Sequence, residues 1–457
     1  MASTVDPRLA AVVLAAGRGT RLKSDRPKVL HEIAGRTMLG HVLGSLAPAR
    51  PKRIVVVVAP DMDDVARAAE PHSIAIQRQP RGTGDAARAA QSALENFAGD
   101  VLVLYGDTPF LSAATIRRLV RARRARTNPA VVVLAFRPKD PARYGRLVLD
   151  AAGRLVEIVE HADATAEQSR IGLCNAGMMA IDGRVMFRML ARLKNHNAKR
   201  EFYLTDLVAI ARRMGRTVTH IEAPEEELMG IDSRAGLARA EAIAQARLRR
   251  AALDAGATLV APETVHFSHD TRLGRDVTVG PYVVFGPGVS VADRVEIRSF
   301  SHIEGATIES DALVGPFARL RPGARIGRGA HIGNFVEVKN ATIEAGAKAN
   351  HLTYLGDARV GARANIGAGT ITCNYDGYSK MFTDIGAGAF IGSNAALVAP
   401  VTVGKGAIVA AGSVITGDVP DNALAVARGR QEHRDGWAAT FRKDQQKKKS
   451  RRHGGKS

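Results

Sequence analysis

The chain has 457 residues, a formal charge of +20 and two cysteines, Cys174 and Cys373. Its length implies more than one domain and its 46% hydrophobic content suffices for sizeable cores. Two distant cysteines exclude a disulfide-stapled secreted scaffold, and the apolar run 9–16 is too short for a membrane span, so a cytosolic protein is expected.

Residues 10–15 read as a buried strand, followed by the loop Leu14-Ala15-Ala16-Gly17-Arg18-Gly19-Thr20-Arg21. Its glycines let backbone N–H groups approach phosphate oxygens. The Rossmann glycine spacing and the Gly-Lys-Ser/Thr ending of a P-loop are both missing, so neither motif is indicated. Downstream, Arg21 and Lys28 are placed to neutralise a triphosphate; the plainer alternative is two surface charges. A helix is expected near 38–46, strands over 53–58, 101–104 and 130–136, and helices over 85–96 and 113–126. Strands alternating with helices predict an α/β domain with a mostly parallel, Rossmann-like mixed sheet that binds ligands at the carboxyl ends of its strands.

Two polar clusters stand at those ends. Gln77 and Gly82-Thr83-Gly84 precede a helix and could read a base edge, or form a simple turn with a cap. Tyr105-Gly106-Asp107 follows the run 101–104. Its carboxylate suits Mg²⁺, a hard ion that takes one or two protein oxygens beside substrate phosphates; the alternative is a helix cap ahead of Thr108-Pro109. Residues 233–256 are read as a connector, an Ala- and Arg-rich helix belonging to neither core.

From Leu273 to Ile415 an apolar residue, often followed by Gly, returns every six residues. The register slips by one at Ile308 and again at Ile343, and breaks over 373–384. A period of six predicts a left-handed parallel β-helix of hexapeptide repeats, each coil made of three short strands with the aliphatic residue inward. A coil cannot bury its inner face alone, so neighbours must stack. The stretch 373–384 must leave this scaffold as a loop, where binding groups tend to sit. His302, His331 and His351 could be imagined as metal ligands in such a solenoid. Residues 442–457, with eight Lys or Arg against Asp444, read as a disordered basic tail. Nucleic-acid association is the alternative, but no aromatic platform accompanies the charge.

Residues 14–28, Gln77 with Gly82-Thr83-Gly84, and Tyr105-Gly106-Asp107 resemble the sugar-nucleotide pyrophosphorylases. Together with Arg321-Pro322-Gly323, His351-Leu352-Thr353-Tyr354-Leu355-Gly356-Asp357 and Cys373-Asn374-Tyr375-Asp376-Gly377, the chain resembles the bacterial bifunctional N-acetylglucosamine-1-phosphate uridyltransferase and glucosamine-1-phosphate N-acetyltransferase family over about residues 8–441. The division implied is 1–232 for uridyl transfer, 233–256 for the connector, 257–441 for acetyl transfer and 442–457 for the tail.

By that resemblance, the first domain binds UTP and N-acetylglucosamine 1-phosphate through Leu14, Ala15, Ala16, Gly17, Gln77, Gly82, Thr83, Tyr105 and Gly106, with Gly145, Glu160 and Asn175 on the sugar. Arg21 and Lys28 would stabilise charge during attack on the α-phosphorus, and Asp107 and Asp232 would hold Mg²⁺. Asp232 departs from the Asn usual in the family; it still offers oxygen, or it merely caps the following helix. In the solenoid the resemblance implies His351 as the base and Arg321, Glu337, Lys339, Tyr354, Asn365 and Lys380 around glucosamine 1-phosphate. It implies Ala368, Asn374, Tyr375, Ser393, Ala411 and Arg428 around acetyl-CoA, with Asn374 near the reacting groups, and a homotrimer with shared sites. Cys373 suggests an acetyl-enzyme, but no local signature demands one, and direct transfer is expected. A single-activity nucleotidyltransferase whose solenoid serves for assembly or regulation is the competing reading.

Overall fold

A computed structural model describes residues 5–141 and 144–453. The chain divides into two compact units, Met1–Leu248 with Phe267–His269, and Arg249–His266 with Asp270–Ser457.

The first unit is built on a nine-stranded mixed sheet. Asp6–Leu14 is paired in parallel with Pro51–Val58 on one side and Asp100–Tyr105 on the other, and Ser73–Ile76 extends the first side. The Val-, Leu- and Ala-rich runs 9–13, 55–58 and 101–104 of the three inner strands are buried on both faces, as central parallel strands require, whereas the edge strand Ser73–Ile76 leaves Ile74 and Ile76 exposed. Ala10, Val12, Val101 and Val103 point into one core, and Ala11, Val13, Leu102 and Leu104 into the other. Cys174–Asp182 runs antiparallel between Asp100–Tyr105 and Val131–Phe136. Arg146–Leu149 and Leu155–Val159 form an antiparallel pair beside it. The helix Met38–Leu46 starts at Thr37, whose hydroxyl accepts from Gly40 N–H at 3.0 Å. The helix expected over 85–96 is shorter, Thr83–Ala89, and a 3₁₀ turn, Ser92–Leu94, then seats Leu94 in the core. Because the strands Asp6–Leu14, Pro51–Val58, Ser73–Ile76 and Asp100–Tyr105 are parallel, the loops holding Gly17, Gln77 and Asp107 emerge along one edge.

The helix Arg234–Asp254 corrects the expectation of a connector outside both cores. Ala240 and Ala244 are buried with Ile33, Met38, Phe110 and Ile231. Small side chains let the helix lie close to that cluster without a wide aliphatic stripe.

The second unit is a left-handed β-helix whose named strand ladders are all parallel, coil upon coil. Thr278 pairs with Glu296, an offset of 18 residues, and Ser290 with Thr307, an offset of 17 where the register slips. The period-six residues from Val279 to Ile415 are buried; Leu273, at the open end, is only partly so. Between Ile371–Cys373 and Thr383–Ile385 the chain leaves the coils, with Tyr375 bridged to Lys380 and Tyr378 96% exposed at the tip.

Along one corner of the prism Tyr282, Phe300, Phe317 and Phe335 recur in the left-handed backbone region, φ 53–62°. Each ring stacks on the next at 4.9–5.1 Å, and all four are exposed. Leu352, also exposed and at φ 51°, continues the column.

The basic tail also needs correction. Trp437–His453 is an α-helix, exposed where its side chains are described. Its Ala, Gln, Lys and Arg are good helix formers with no Gly or Pro before Gly454, and Trp437 stacks on Phe441 one turn on. Residues 454–457 lie outside the described residues.

Candidate functional sites

Two adjoining cavities, of 880 and 360 Å³, open at the carboxyl ends of the parallel strands and share Lys28 and Asp107. Leu14, Ala15, Ala16, Gly17, Gln77, Gly82, Thr83 and Tyr105 line the smaller one. Arg21, Tyr144, Glu160 and Asp232 line the larger. Gly106 N–H donates to the Leu14 carbonyl at 2.9 Å, which locks the two loops together. Gly145 accepts from Asn175 N–H at 2.8 Å, and a Cβ at Gly145 would lie 3.3 Å from a Glu160 oxygen, so these three sit side by side. Gly19 has φ 70°, and a Cβ there would come 2.6 Å from Lys28 Cβ; glycine is what lets the loop close over that lysine.

Charge in this groove is paired. Arg21 lies 2.6 Å from Asp232, and Lys28 contacts Asp107. The Ile231 N–H donates to the Asp107 carbonyl at 3.1 Å, which ties the two carboxylate-bearing turns together. Neither aspartate caps a helix. Ser112 caps Ala113–Arg123, and Ser233 Oγ accepts from Gly236 N–H at 3.1 Å at the start of Arg234–Asp254. Burial pushes the Glu160 carboxyl up, against a hydrogen bond from Thr205. Burial, with the Glu160 and Asp107 charges, raises the Tyr105 phenol and keeps it neutral. A further cleft of 860 Å³ near Gln91 and Arg184 lies at the other end of the strands and shares none of these groups.

In the solenoid, coil register sets the site. Asn334 and His351 are paired neighbours on adjacent strands. Lys348, Asn365, Phe390 and Ile408 are aligned, so His351, Ala368, Ser393 and Ala411, each three residues on, occupy one column. Arg428 Nη1 donates to the Ala411 carbonyl at 2.8 Å at the end of it. Arg319, Glu337 and Tyr354 are aligned likewise, which stacks Arg321 on Lys339. His351 and Tyr354 are only three residues apart, so the two columns flank one corner.

His351 Nδ1 is 2.8 Å from Asn334 Oδ1. With the amide oxygen accepting, Nδ1 carries the proton and Nε2 keeps its lone pair free to act as a base. Arg321 pairs with Glu337 at 2.8 Å. Lys380 from the excursion lies against Lys339, and this neighbouring charge, with Arg321, lowers the Lys339 ammonium. Asp357 is buried, which alone would raise its carboxyl, but hydrogen bonds from Asn340 and Asn374 and the charges of Lys339 and Lys380 hold it below the usual range. Asn374 Nδ2 donates to Asp357, so the loop is anchored to the coil below. Tyr375 is exposed and its hydroxyl donates to the Gly377 carbonyl at 2.6 Å. Sequence reasoning missed Asn334, Asn340 and Asp357. Their signal is the spacing: 334 to 351, 340 to 357 and 357 to 374 are each 17 residues, one coil. Among the described residues no three His, Cys, Asp or Glu side chains converge as a metal site, so the histidine-metal solenoid has no support.

Residues 11–200 match the MobA-like NTP transferase domain, and 270–305, 305–340 and 382–417 match the bacterial transferase hexapeptide of six repeats. The chain is 59% identical to the bifunctional protein GlmU of Paramagnetospirillum magneticum over 445 residues, 97% of this chain and 99% of the relative. It is 59% identical to that of Rhodospirillum rubrum over 95% of this chain and 97% of the relative. For Sphingopyxis alaskensis the figures are 56%, 97% and 98%. With a nucleotidyltransferase groove in one unit and a hexapeptide acyltransferase column in the other, the chain belongs to the bifunctional GlmU family.

Proposed function

We infer that the two reactions of UDP-N-acetylglucosamine synthesis are carried by two separate sets of residues, one in each unit. The chain is a bifunctional enzyme: it transfers acetyl from acetyl-CoA to glucosamine 1-phosphate, and then uridyl from UTP to N-acetylglucosamine 1-phosphate with release of pyrophosphate.

In the acetyl-transfer step, Arg321, Lys339 and Lys380 hold the sugar phosphate. His351 Nε2 takes a proton as the neutral 2-amine attacks the thioester carbon; the C–N bond forms, the C–S bond breaks, and the proton passes to the departing thiolate. Glu337, Tyr354 and Asn365 orient the sugar, while Asn374, Tyr375 and Ser393, with Ala368, Ala411 and Arg428, form the acetyl-CoA track. The alignment of His351, Ala368, Ser393 and Ala411 in one column supports this reading, because an extended pantetheine arm needs a straight, narrow path.

In the uridyl-transfer step, Arg21 and Lys28 bind phosphate charge as a sugar-phosphate oxygen attacks the α-phosphorus and pyrophosphate leaves. Gln77, Gly82 and Thr83 take the uracil, and Gly145, Glu160 and Asn175 the sugar. Two carboxylates at one cavity mouth fit Mg²⁺, which takes one or two protein oxygens beside phosphates. Asp107 and Asp232 would hold it, and when bound it would neutralise phosphate charge.

We further propose a homotrimer with sites shared between neighbours. Its support is the exposed column Tyr282, Phe300, Phe317, Phe335 and Leu352, which ends beside His351 and whose apolar surface calls for a cover. No described helix is long and apolar enough to cross a membrane, and the two free cysteines suit a reducing cytosol. Assays of each half-reaction on the purified protein test the assignment: turnover of UTP without any acetyl transfer would leave the solenoid with an assembly role only.

A further inference from the structure

The Gln77 carboxamide has one permitted orientation, and Asp85 sets it. Gln77 and Asp85 are each 7% exposed. Gln77 Nε2 donates to the Gly82 carbonyl and to Asp85 Oδ2, both at 3.2 Å. Turning the amide over would set Oε1 against the same two oxygens, acceptor against acceptor with no proton between them. Among the described residues no donor reaches Oε1, yet it is not one of the buried polar atoms left without a partner, so it remains open to a ligand in the cavity that Gln77 lines.

Asp85 is itself held as an anion. Burial would raise its carboxyl, but hydrogen bonds from Arg88, Gln77 and Arg81 keep it below the ordinary range. Arg88 and Arg81 both donate to Oδ1, at 2.9 and 3.0 Å, and both guanidiniums lie over the Phe202 ring. Oδ1 therefore serves the arginines and Oδ2 serves Gln77.

We propose that Asp85 is a positioning residue for base selection: by fixing Gln77 with Oε1 outward it presents an acceptor, which admits uracil, whose N3 carries a proton, and disfavours cytosine, whose N3 is an acceptor. The inference rests on the reading that the uracil of UTP lies against Gln77. Substituting Asp85→Asn reverses the logic. The amide oxygen of the new side chain is drawn to the two arginines and its NH₂ turns to Gln77, so only the Gly82 carbonyl still favours the wild-type orientation and the turned-over amide, which presents a donor, becomes accessible.

The test is uridyl transfer by the full-length protein with UTP and with CTP, for wild type, Asp85→Asn, Asp85→Ala and Gln77→Ala, with circular dichroism and thermal melting as the check on folding. Asp85→Asn should lower kcat/KM for UTP roughly ten-fold, the scale of one hydrogen bond, and raise it for CTP. A merely structural role would not produce a gain with CTP. Asp85→Ala, which releases the amide without reversing it, should narrow the preference without the gain, and it decides the matter if the Asn variant does not fold. If folded Asp85 variants keep the wild-type UTP-to-CTP ratio while Gln77→Ala changes it, the positioning role fails and the uracil reading survives. If Gln77→Ala also leaves the ratio unchanged, the uracil reading fails with it.

Discussion

In the N-terminal groove Arg21 pairs with Asp232 and Lys28 with Asp107, whereas in the solenoid Lys339 and Lys380 lie against each other and, among the described residues, neither forms an ion pair. The groove is nearly neutral in itself. Under the proposed reading its cations and carboxylates exchange partners when a triphosphate and a divalent ion arrive, which suits a reaction in which charge moves along a phosphate chain. The solenoid carries clustered positive charge that Asp357 only partly offsets, and under the proposed reading the sugar phosphate relieves the remaining repulsion between its lysines.

The largest effect that would sharpen this contrast is on the proposed solenoid base. His351→Ala should lower acetyl transfer by about two to four orders of magnitude with little change in acetyl-CoA affinity, as steady-state kinetics and CoA titration would show. Next comes the carboxylate pair proposed to hold the metal in the groove. Asp232→Asn should retain much of the uridyl-transfer rate, since an amide oxygen still coordinates, and Asp232→Ala should do far worse across a Mg²⁺ titration. Equal rates for all three would remove Asp232 from the metal's surroundings.

A smaller effect probes the unpaired lysines. Lys380→Met should raise KM for glucosamine 1-phosphate about ten-fold, the scale of one charge-assisted contact. It should also move a pH limb. Lys380 lowers Lys339, so in the wild type phosphate binding weakens, as pH rises, earlier than an isolated lysine would allow; without Lys380 that limb should shift to higher pH. An unmoved limb would separate the two lysines. The smallest effect is expected at Cys373. Cys373→Ala should keep substantial acetyl transfer, because direct attack needs no thiol; an acetyl group trapped on Cys373 with a burst of CoA before sugar is added would reverse that view.

The two regions also differ in how far their sequences could be read. In the solenoid an inward aliphatic at every sixth position is forced by geometry, so Val279 to Ile415 announces both fold and core. The same regularity carries polar information that single motifs hide: Asn334 with His351, and Asn340, Asp357 and Asn374, are contacts only because one coil spans 17 residues there. The first unit offers no such ruler. The run 101–104 reads as a strand, yet its neighbour Cys174–Asp182 lies about seventy residues on in the opposite direction, a pairing set by the whole sheet. Asp85, too, is an unremarked helix residue until folding brings Gln77 and two arginines around it. The tail departs from its expectation for another reason: charge density argues for solvation, but Ala, Gln, Lys and Arg without a breaker also favour a helix.

The central claim is that two sites work independently, and the measurement that reaches it most directly is both half-reactions on a single variant, Asp107→Ala. The Asp107 carboxylate lines the groove and pairs with Lys28, whereas the proposed acetyl-transfer column stands on its own core in the other unit. Uridyl transfer should be abolished and acetyl transfer should stay close to wild type. Parallel loss of both activities in a folded protein would contradict the division.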